Sequence, residues 1–327
     1  MTLKRRNLLK AGGLFVLPSL ANQSAQAQTT FPSQPVKIVV PYPPGGITDI
    51  SARSIGAFLQ TKWKQPVIID NRPGASGAIG AEYVAKSAPD GQTILLALNA
   101  MLLSSMLDRD IRYSLTNDFE AVTLVATTPM VLVAPASLGA QKASDLKALL
   151  QADQSKAAYA TIGVGSSLHL YGNQLAKTLG VDAIPVPMKG GAAIVTELVG
   201  GRVGYSFLDI MGSLPMIQSG QIKALGVIGD RRSPALPNVP TLAEQGIAGF
   251  ETRSWFAFYA PRGTPSRIVD KLSADIGEAI RSKDVHERLV ASGNDPAPGT
   301  PQEMRAFVAT QVTDWKRLAA SAGMTAK

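Results

Sequence analysis

Cysteine is absent from this chain of 327 residues, and histidine occurs only at His169 and His286. Without a thiol there can be no disulfide framework, cysteine nucleophile, Fe–S cluster or cysteine-ligated zinc. A lipid anchor of the bacterial lipoprotein type, which is attached through cysteine, is likewise not expected. Two histidines cannot build a multi-histidine metal centre, so neither metal nor cofactor is expected. Long apolar runs are missing too: the stretch from Ala11 to Ala21 has about 11 residues, against the ~20 that span a bilayer as a helix. The basic pair Arg231-Arg232 stands alone, with no basic stripe around it, which argues against a nucleic-acid partner. Low hydrophobicity, the mark of disorder, is not found either. Hydrophobic residues make up 45% and the mean hydropathy is +0.10. A chain of this length buries roughly 75% of its unfolded surface, and at this size one core usually divides into two.

The start of the chain is an export signal. Lys4-Arg5-Arg6 opens a charged region, the short apolar stretch follows, and Ala25-Gln26-Ala27 supplies a small-residue cleavage site. Arg5-Arg6 followed by Leu8-Leu9-Lys10 resembles a twin-arginine signal, with an ordinary secretory signal as the alternative. The first 27 residues hold four basic and no acidic side chains. Their removal changes 32 basic against 24 acidic residues into 28 against 24, so the net charge falls from +8 to +4. The expected location is the periplasm, as a soluble monomer cleaved near Ala27.

The remainder alternates short β-branched runs with helical stretches, and this implies an α/β fold with parallel strands and right-handed crossovers. Val36–Val40, Val67–Asp70, Thr93–Leu98, Ala158–Ile162, Ala183–Val186 and Val203–Phe207 read as strands covered on both faces. Thr48–Lys64, Ile79–Ser87, Asp145–Ala152, Ser167–Leu179 and Ala192–Val199 read as helices. The last third turns helical, over Ser266–Arg281, His286–Ala291 and Pro301–Ala322, with Thr300 as N-cap before Pro301. Two extended runs, Phe119–Pro135 and aromatic-rich Phe250–Pro261, look like connections between two lobes. Trp255, Phe256, Phe258 and Tyr259 then belong to a packed hinge strand.

Three turns share one design: Pro41 to Asp49, Asn71 to Gly80, and Gly163 to Ser167. Each follows a parallel strand and feeds a helix N-terminus, where open α/β sheets bind ligands and where free N–H groups favour an anion. Thr48 or Asp49 is expected to cap the first helix. Gly74, Gly77 and Gly80 do not form a dinucleotide fingerprint, and no phosphate-binding P-loop occurs. Together the turns suggest a cleft that holds a small carboxylate through backbone amides and hydroxyls.

Ser166 or Ser167 with His169 and Asp209 could be imagined as a hydrolytic triad, but the G-x-S-x-G elbow is missing. A capping or ligand-orienting role suits His169 better. Asp209 either points into the cleft or caps the helix around Gly212–Ser219. Lys189, before Gly190-Gly191, either pairs with a distal carboxylate or stays on the surface. His286 is expected in solvent. Arg267, Lys271 and Arg281, interleaved with Asp270, Asp275 and Glu278, read as an exposed helix face.

Several of these segments carry a resemblance. The run Pro35 to Gly46 with Thr48-Asp49, Asn71 to Gly77, Ala88-Pro89-Asp90-Gly91, Asp118-Phe119, Arg232 to Pro237 and Gly263-Thr264-Pro265 resemble the Bug/TctC family, the extracytoplasmic solute receptors of tripartite tricarboxylate transporters. The resemblance implies a two-lobed type II periplasmic binding protein fold with two crossing hinge strands. Lobe one would take residues 28–127 and 255–327, and lobe two residues 128–254. It further implies no catalysis, a carboxylate ligand gripped mainly by the first lobe, and membrane permease subunits as partners. Carried onto this chain, the ligand contacts are Tyr42, Gly46, Thr48 and Asp49 from the first loop, and Ser76 and Gly77 from the second. Asn99 adds a polar contact, Ser166, Ser167 and His169 close from the other lobe, and Lys189, Gly191 and Asp209 lie nearer the ligand's variable end. Ile47, Ala100 to Leu103 and Ile210-Met211 replace the family's usual polar or flexible residues, which suggests a ligand with an apolar or aromatic end. Two rivals remain: the same fold serving a sensor kinase, and a periplasmic serine hydrolase.

Overall fold

A computed structural model describes residues 31–108, 110–163, 165–229, 231–250 and 252–324; the export segment at 1–27 lies outside the described residues. The chain begins with β1 (Val36–Val40), α1 (Ile47–Trp63), β2 (Val67–Asn71), α2 (Ala78–Ala85), β3 (Thr93–Leu98), α3 (Asn99–Leu107) and β4 (Phe119–Thr128). It crosses to β5 (Met130–Pro135), α4 (Asp145–Ala152), β6 (Ala158–Thr161), α5 (Ser167–Leu179), β7 (Ile184–Pro187), α6 (Gly191–Val199), β8 (Tyr205–Asp209), α7 (Ile210–Gln218) and β9 (Ile222–Val227). It returns through β10 (Ser254–Pro261), α8 (Ser266–Arg281), α9 (Lys283–Ala291), β11 (Asp295–Pro296) and α10 (Pro301–Ser321). Two mixed sheets result, ordered β11-β4-β10-β3-β1-β2 and β7-β6-β8-β5-β9.

The expected extended run Phe119–Pro135 is two strands, because Pro129 cannot continue the ladder. β4 joins the first sheet and β5 the second. β10 starts at Ser254, later than the apolar run suggested, and pairs antiparallel with β4 over its whole length. The two sheets are thus linked by one nearly continuous strand and by a long loop from Ile228 to Arg253.

Alternation along the strands shows why the first sheet is buried on both faces. In β10, Trp255, Ala257 and Tyr259 enter one apolar cluster, while Phe256, Phe258 and Ala260 enter the other. β3 divides the same way, with Leu95 and Ala97 against Ile94 and Leu96. This period of two is what a strand with both faces covered requires. There are two clusters, but their boundary runs through the first sheet and not between the sheets. The larger cluster joins Trp255 and Tyr259 of the first sheet to Val131, Tyr159 and Phe207 of the second.

The last helix explains that continuity. Thr300 and Glu303 form a complete capping box that starts α10, with Pro301 in the first turn. Met304 and Val308 on its first half join the same core, and Phe307 meets Trp255 edge-on at 5.9 Å. Trp315 on its second half lies 5.3 Å from Tyr171 of α5. Further along, the Ser321 hydroxyl donates to Gln174 Oε1 at 3.1 Å and Lys177 Nζ donates to the Ser321 carbonyl.

One surface expectation changes. Asp275 is buried, not on an exposed face of α8, because Trp63 Nε1 donates to it at 2.6 Å and Lys271 and Lys62 pair with it at 2.7 and 3.4 Å. Arg231 and Arg232 pair with Asp295 and Glu244, while His286 is exposed. No helix among the described residues is long and apolar enough to cross a membrane.

Candidate functional site

β1, β2 and β3 run parallel, and so do β6, β7 and β8, so the loops at their carboxyl ends gather on one edge of each sheet. From the first sheet this edge carries Tyr42 to Thr48, Gly74 to Gly77, and Asn99. From the second it carries Gly163 to Ser167, Lys189 to Gly191, and Asp209.

The first loop is held from within by Asp49. Its carboxylate accepts from the Gly45 amide at 2.9 Å, from Arg53 at 2.9 and 3.0 Å, and from Asn71 Nδ2 at 3.0 Å. Asn71 also donates to the Tyr42 carbonyl at 3.1 Å, tying the first turn to the second. Asp49 is 3% exposed, and the Arg53 guanidinium holds its carboxyl below the usual value against the opposing effect of burial. Thr48 and Asp49 do not cap α1 as expected. Gly46 is the N-cap, without a side-chain hydrogen bond, because Asp49 sits in the first turn and reaches back to Gly45 instead.

In the second loop, the spacing of Gly74, Gly77 and Gly80 has a mechanical origin. Residues 74–77 all have positive φ, at 127°, 46°, 54° and 96°, and Ala75 and Ser76 adopt it without the freedom of glycine. Such strain costs of order 1–3 kcal/mol per residue and concentrates at ligand sites. Gly80 serves close approach: a Cβ there would stand 2.8 Å from Pro41 Cβ and 3.2 Å from the Arg72 carbonyl. The second loop is therefore packed directly on the first. Arg72 itself is anchored to Asp70 at 2.8 Å and stacks 3.5 Å over the Tyr83 ring.

Across the gap, Ser166 is the N-cap of α5. Its hydroxyl accepts from the His169 amide at 3.3 Å and donates to the Gly163 carbonyl at 2.7 Å, with Thr161 Oγ1 at 2.9 Å. His169 is buried, stacked on Tyr159, and accepts the Gly165 amide on Nδ1 at 3.0 Å. Burial lowers its pKa, which favours the neutral ring that this bond needs. The ring thus steadies the loop, and Ser166 meets the backbone of His169, not its imidazole. Asp209 caps α7 through the Gly212 amide at 2.6 Å, while its side chain is exposed. Lys189 and Gly191 are also exposed.

A cleft of about 500 Å³ brings Ser76 together with Ser166 and Ser167. Ala100, Leu103, Ser104 and Leu107 of α3, with Asp108 just after it, form one wall; Ile162, Gly163 and Gly165 form the other, and Met324 also lines the cleft. Tyr42, Gly46, Thr48, Asp49, Gly77, Asn99, His169, Lys189, Gly191 and Asp209 do not line this cleft. Among them, Tyr42 Oη and Asn99 Nδ2 are buried with no hydrogen-bond partner among the described residues, and burial raises the Tyr42 pKa. Helix α3 and Met324 are site elements that sequence reasoning missed. The run Asn99 to Leu107 is apolar on most sides and starts without a capping residue, so neither periodicity nor a cap marks it. Of the apolar departures noted above, Met101, Leu102 and Ile210 go into the core, and Met211 packs on Gly293. Ala100 and Leu103 face the cleft.

Comparison with known proteins places this geometry. The family model described as "Tripartite tricarboxylate transporter family receptor" matches residues 51–324. Protein BugT of Bordetella pertussis is 35% identical over 322 residues, covering 98% of each chain. Among solved structures, Rpa4515 of R. palustris with adipate is 34% identical with a TM-score of 0.77, over 90% of this chain and 99% of that one. MatC of Rhodopseudomonas palustris with bound malate is 31% identical with a TM-score of 0.72, over 88% and 99%. The two sheets and the loops at their edges are those of periplasmic binding proteins, and the chain belongs to the family of tripartite tricarboxylate transporter receptors.

Proposed function

We propose that this protein is a periplasmic receptor that captures a small carboxylate between its two sheets and delivers it to a membrane permease. The observation that carries this reading is a difference in helix starts. α1, α2 and α3 begin at Gly46, Gly77 and Leu98 with no side-chain cap, which leaves the first N–H groups of α1 and α3 available to an anion, while at α2 the Gly77 and Ala78 amides donate to the Gly74 and Ala75 carbonyls. On the second side, α5 and α7 are capped by Ser166 and Asp209, and only α6, from Gly190, starts without a side-chain cap. The carboxylate is therefore assigned to the first side, among Tyr42, Gly46, Thr48, Ser76, Gly77 and Asn99. Asp49 acts as a positioning residue there, since both its oxygens are engaged. Ser166, Ser167 and His169 close from the second side, with Lys189, Gly191 and Asp209 beyond them. Closure is a rotation of residues 128–254 against 28–127 and 255–327, with the joint at Pro129 and ligand shifting the population toward the closed form.

The far end of the ligand is apolar or aromatic, as Ala100, Leu103, Leu107 and Ile162 support. Adipate and malate on related receptors make carboxylates the class to test. The test is isothermal titration of the mature protein with adipate, benzoate, malate and citrate. Saturable binding of adipate or benzoate, with citrate weaker, is expected. Binding of citrate with none of benzoate-type acids or adipate would remove the apolar end. Turnover of ester substrates that is lost on Ser166→Ala, without any carboxylate binding, would replace the receptor by a hydrolase.

A further inference from the structure

We propose that Met324, three residues beyond the end of the last helix, is the end wall of the cleft and limits the length of ligand the receptor accepts. This rests on the reading of the cleft as a carboxylate site and adds the residue that measures the ligand. Three observations carry it.

First, Met324 lines the cleft and is the one contributor there from the C-terminal part of the chain among the described residues. Its methyl stands 3.2 Å from where a Cβ on Gly165 would lie, and Leu107 Cδ1 is 4.0 Å from the same point. The thioether therefore fills the space between the second-side loop and the end of α3. A Cβ at 165 would press on that methyl.

Second, its backbone is fixed. Gly323 takes the left-handed conformation, φ 74°, and the Met324 amide donates to the Ala319 carbonyl at 2.9 Å. This is the hydrogen bond that ends a helix in a Schellman turn, so the direction of the side chain is set by the helix and not by a loose tail.

Third, that helix end is fastened to the second sheet's helix α5, through Ser321 to Gln174 and Lys177. Met324 thus stands at the seam of the two sides, beside Gly165 of the second and Leu107 of the first. A flexible thioether suits this place, since it can adapt to the end of an apolar chain while still stopping a longer one.

The test is titration of the mature protein, Met324→Ala and Met324→Trp with linear α,ω-dicarboxylates and with monocarboxylates of rising chain length. In the natural protein, affinity should rise by about fourfold per methylene and then break at a limiting length. Met324→Ala should move the break outward by about two methylenes and strengthen the longest acids at least tenfold, with the shortest acid within twofold. Met324→Trp should move it inward. An identical length profile in all three proteins overturns the wall.

Should the natural protein bind no acid of any length, the carboxylate reading is what falls. The wall is then decided without ligand. In a chain that has no cysteine, Met324→Cys and, as control, Ala320→Cys on the exposed face of the helix each carry a single thiol. A bulky maleimide should label the thiol at 324 at least tenfold more slowly than the control. Equal rates overturn the wall.

Discussion

Residues 74–77 and residues 163–166 both join a parallel strand to a helix at the mouth of the cleft, yet they are built in opposite ways. The first loop runs through four positive φ angles, two of them at Ala75 and Ser76, and delivers a helix with no side-chain cap. The second is knit together by Ser166, Thr161 and the ring of His169, and its helix is capped. Under the proposed function, the difference teaches which side takes the carboxylate. A loop that stores strain and delivers a helix without a side-chain cap is organised around a partner, whereas a loop tied by its own side chains can only close over one.

The sharpest way to break this comparison is to place a carboxylate on each side in turn. Ser76→Asp should weaken carboxylate binding a hundredfold or more, since like charges about 4 Å apart cost about 4 kcal/mol near a protein surface. Ser167→Asp should cost tenfold or less. Calorimetric titration reads both, and equal losses would mean that the charge is shared. Asp is tolerated in the left-handed region that Ser76 adopts, so the first variant should keep its fold.

A second variant tests how rigid the closing side is. A methyl on Gly172 would run into the buried ring of Tyr159, and Tyr205 Oη donates to the Gly172 carbonyl at 2.9 Å. Gly172→Ala should lower stability by about 3 kcal/mol in denaturant unfolding, the upper range for overpacking a core. A loss below 1 kcal/mol would show that α5 and its capped loop can shift.

Protonation of His169 tests the same side more gently. Burial depresses its pKa in the folded state, so below the unfolded value of about 6.5 the unfolded chain binds more protons. Stability should therefore fall as pH drops from 7 through the region just below 6.5, and the Gly165 amide loses its acceptor on Nδ1. His169→Gln should flatten that slope. An unchanged slope would remove His169 from the loop's support.

The smallest effect is expected on the strained side. Ala75→Gly, at φ 46°, should raise stability by about 1 kcal/mol, because glycine enters the left-handed region without the cost a Cβ imposes. It should weaken ligand binding by a similar factor, because the loop is then less fixed before the ligand arrives. A stabilised loop with undiminished affinity would show that the strain is unrelated to binding.

Much of the framework is written locally in the chain. Val36–Val40, Thr93–Leu98, Asp145–Ala152, Ser167–Leu179 and Ser266–Arg281 coincide with their observed bounds, because each is a strong apolar pattern closed by turn or cap residues. α3 was not legible, since an almost wholly apolar helix directly after an apolar strand offers no change of period at Asn99. β9 was missed for a related reason: Ile222–Val227 is short, carries a glycine and gains its identity from pairing with β5. At the site, the positions of Ser76, Ser166 and Ser167 followed from their turns. The inward turn of Asp275 and the arrival of Met324 at the cleft depend on partners more than 150 residues away, which no local pattern can announce.

The last helix has a consequence for how the protein comes apart. Because α10 is buried against the first sheet along one half and against α5 along the other, and because a single apolar cluster runs through both sheets, neither side can melt while the other stays intact. The two sides should unfold in one cooperative transition, with calorimetric and van't Hoff enthalpies equal. A receptor that opens and shuts as proposed is then one thermodynamic body. Its working motion is the soft mode of a single domain, and losing the C-terminal helix should dissolve that unity before it disturbs either sheet.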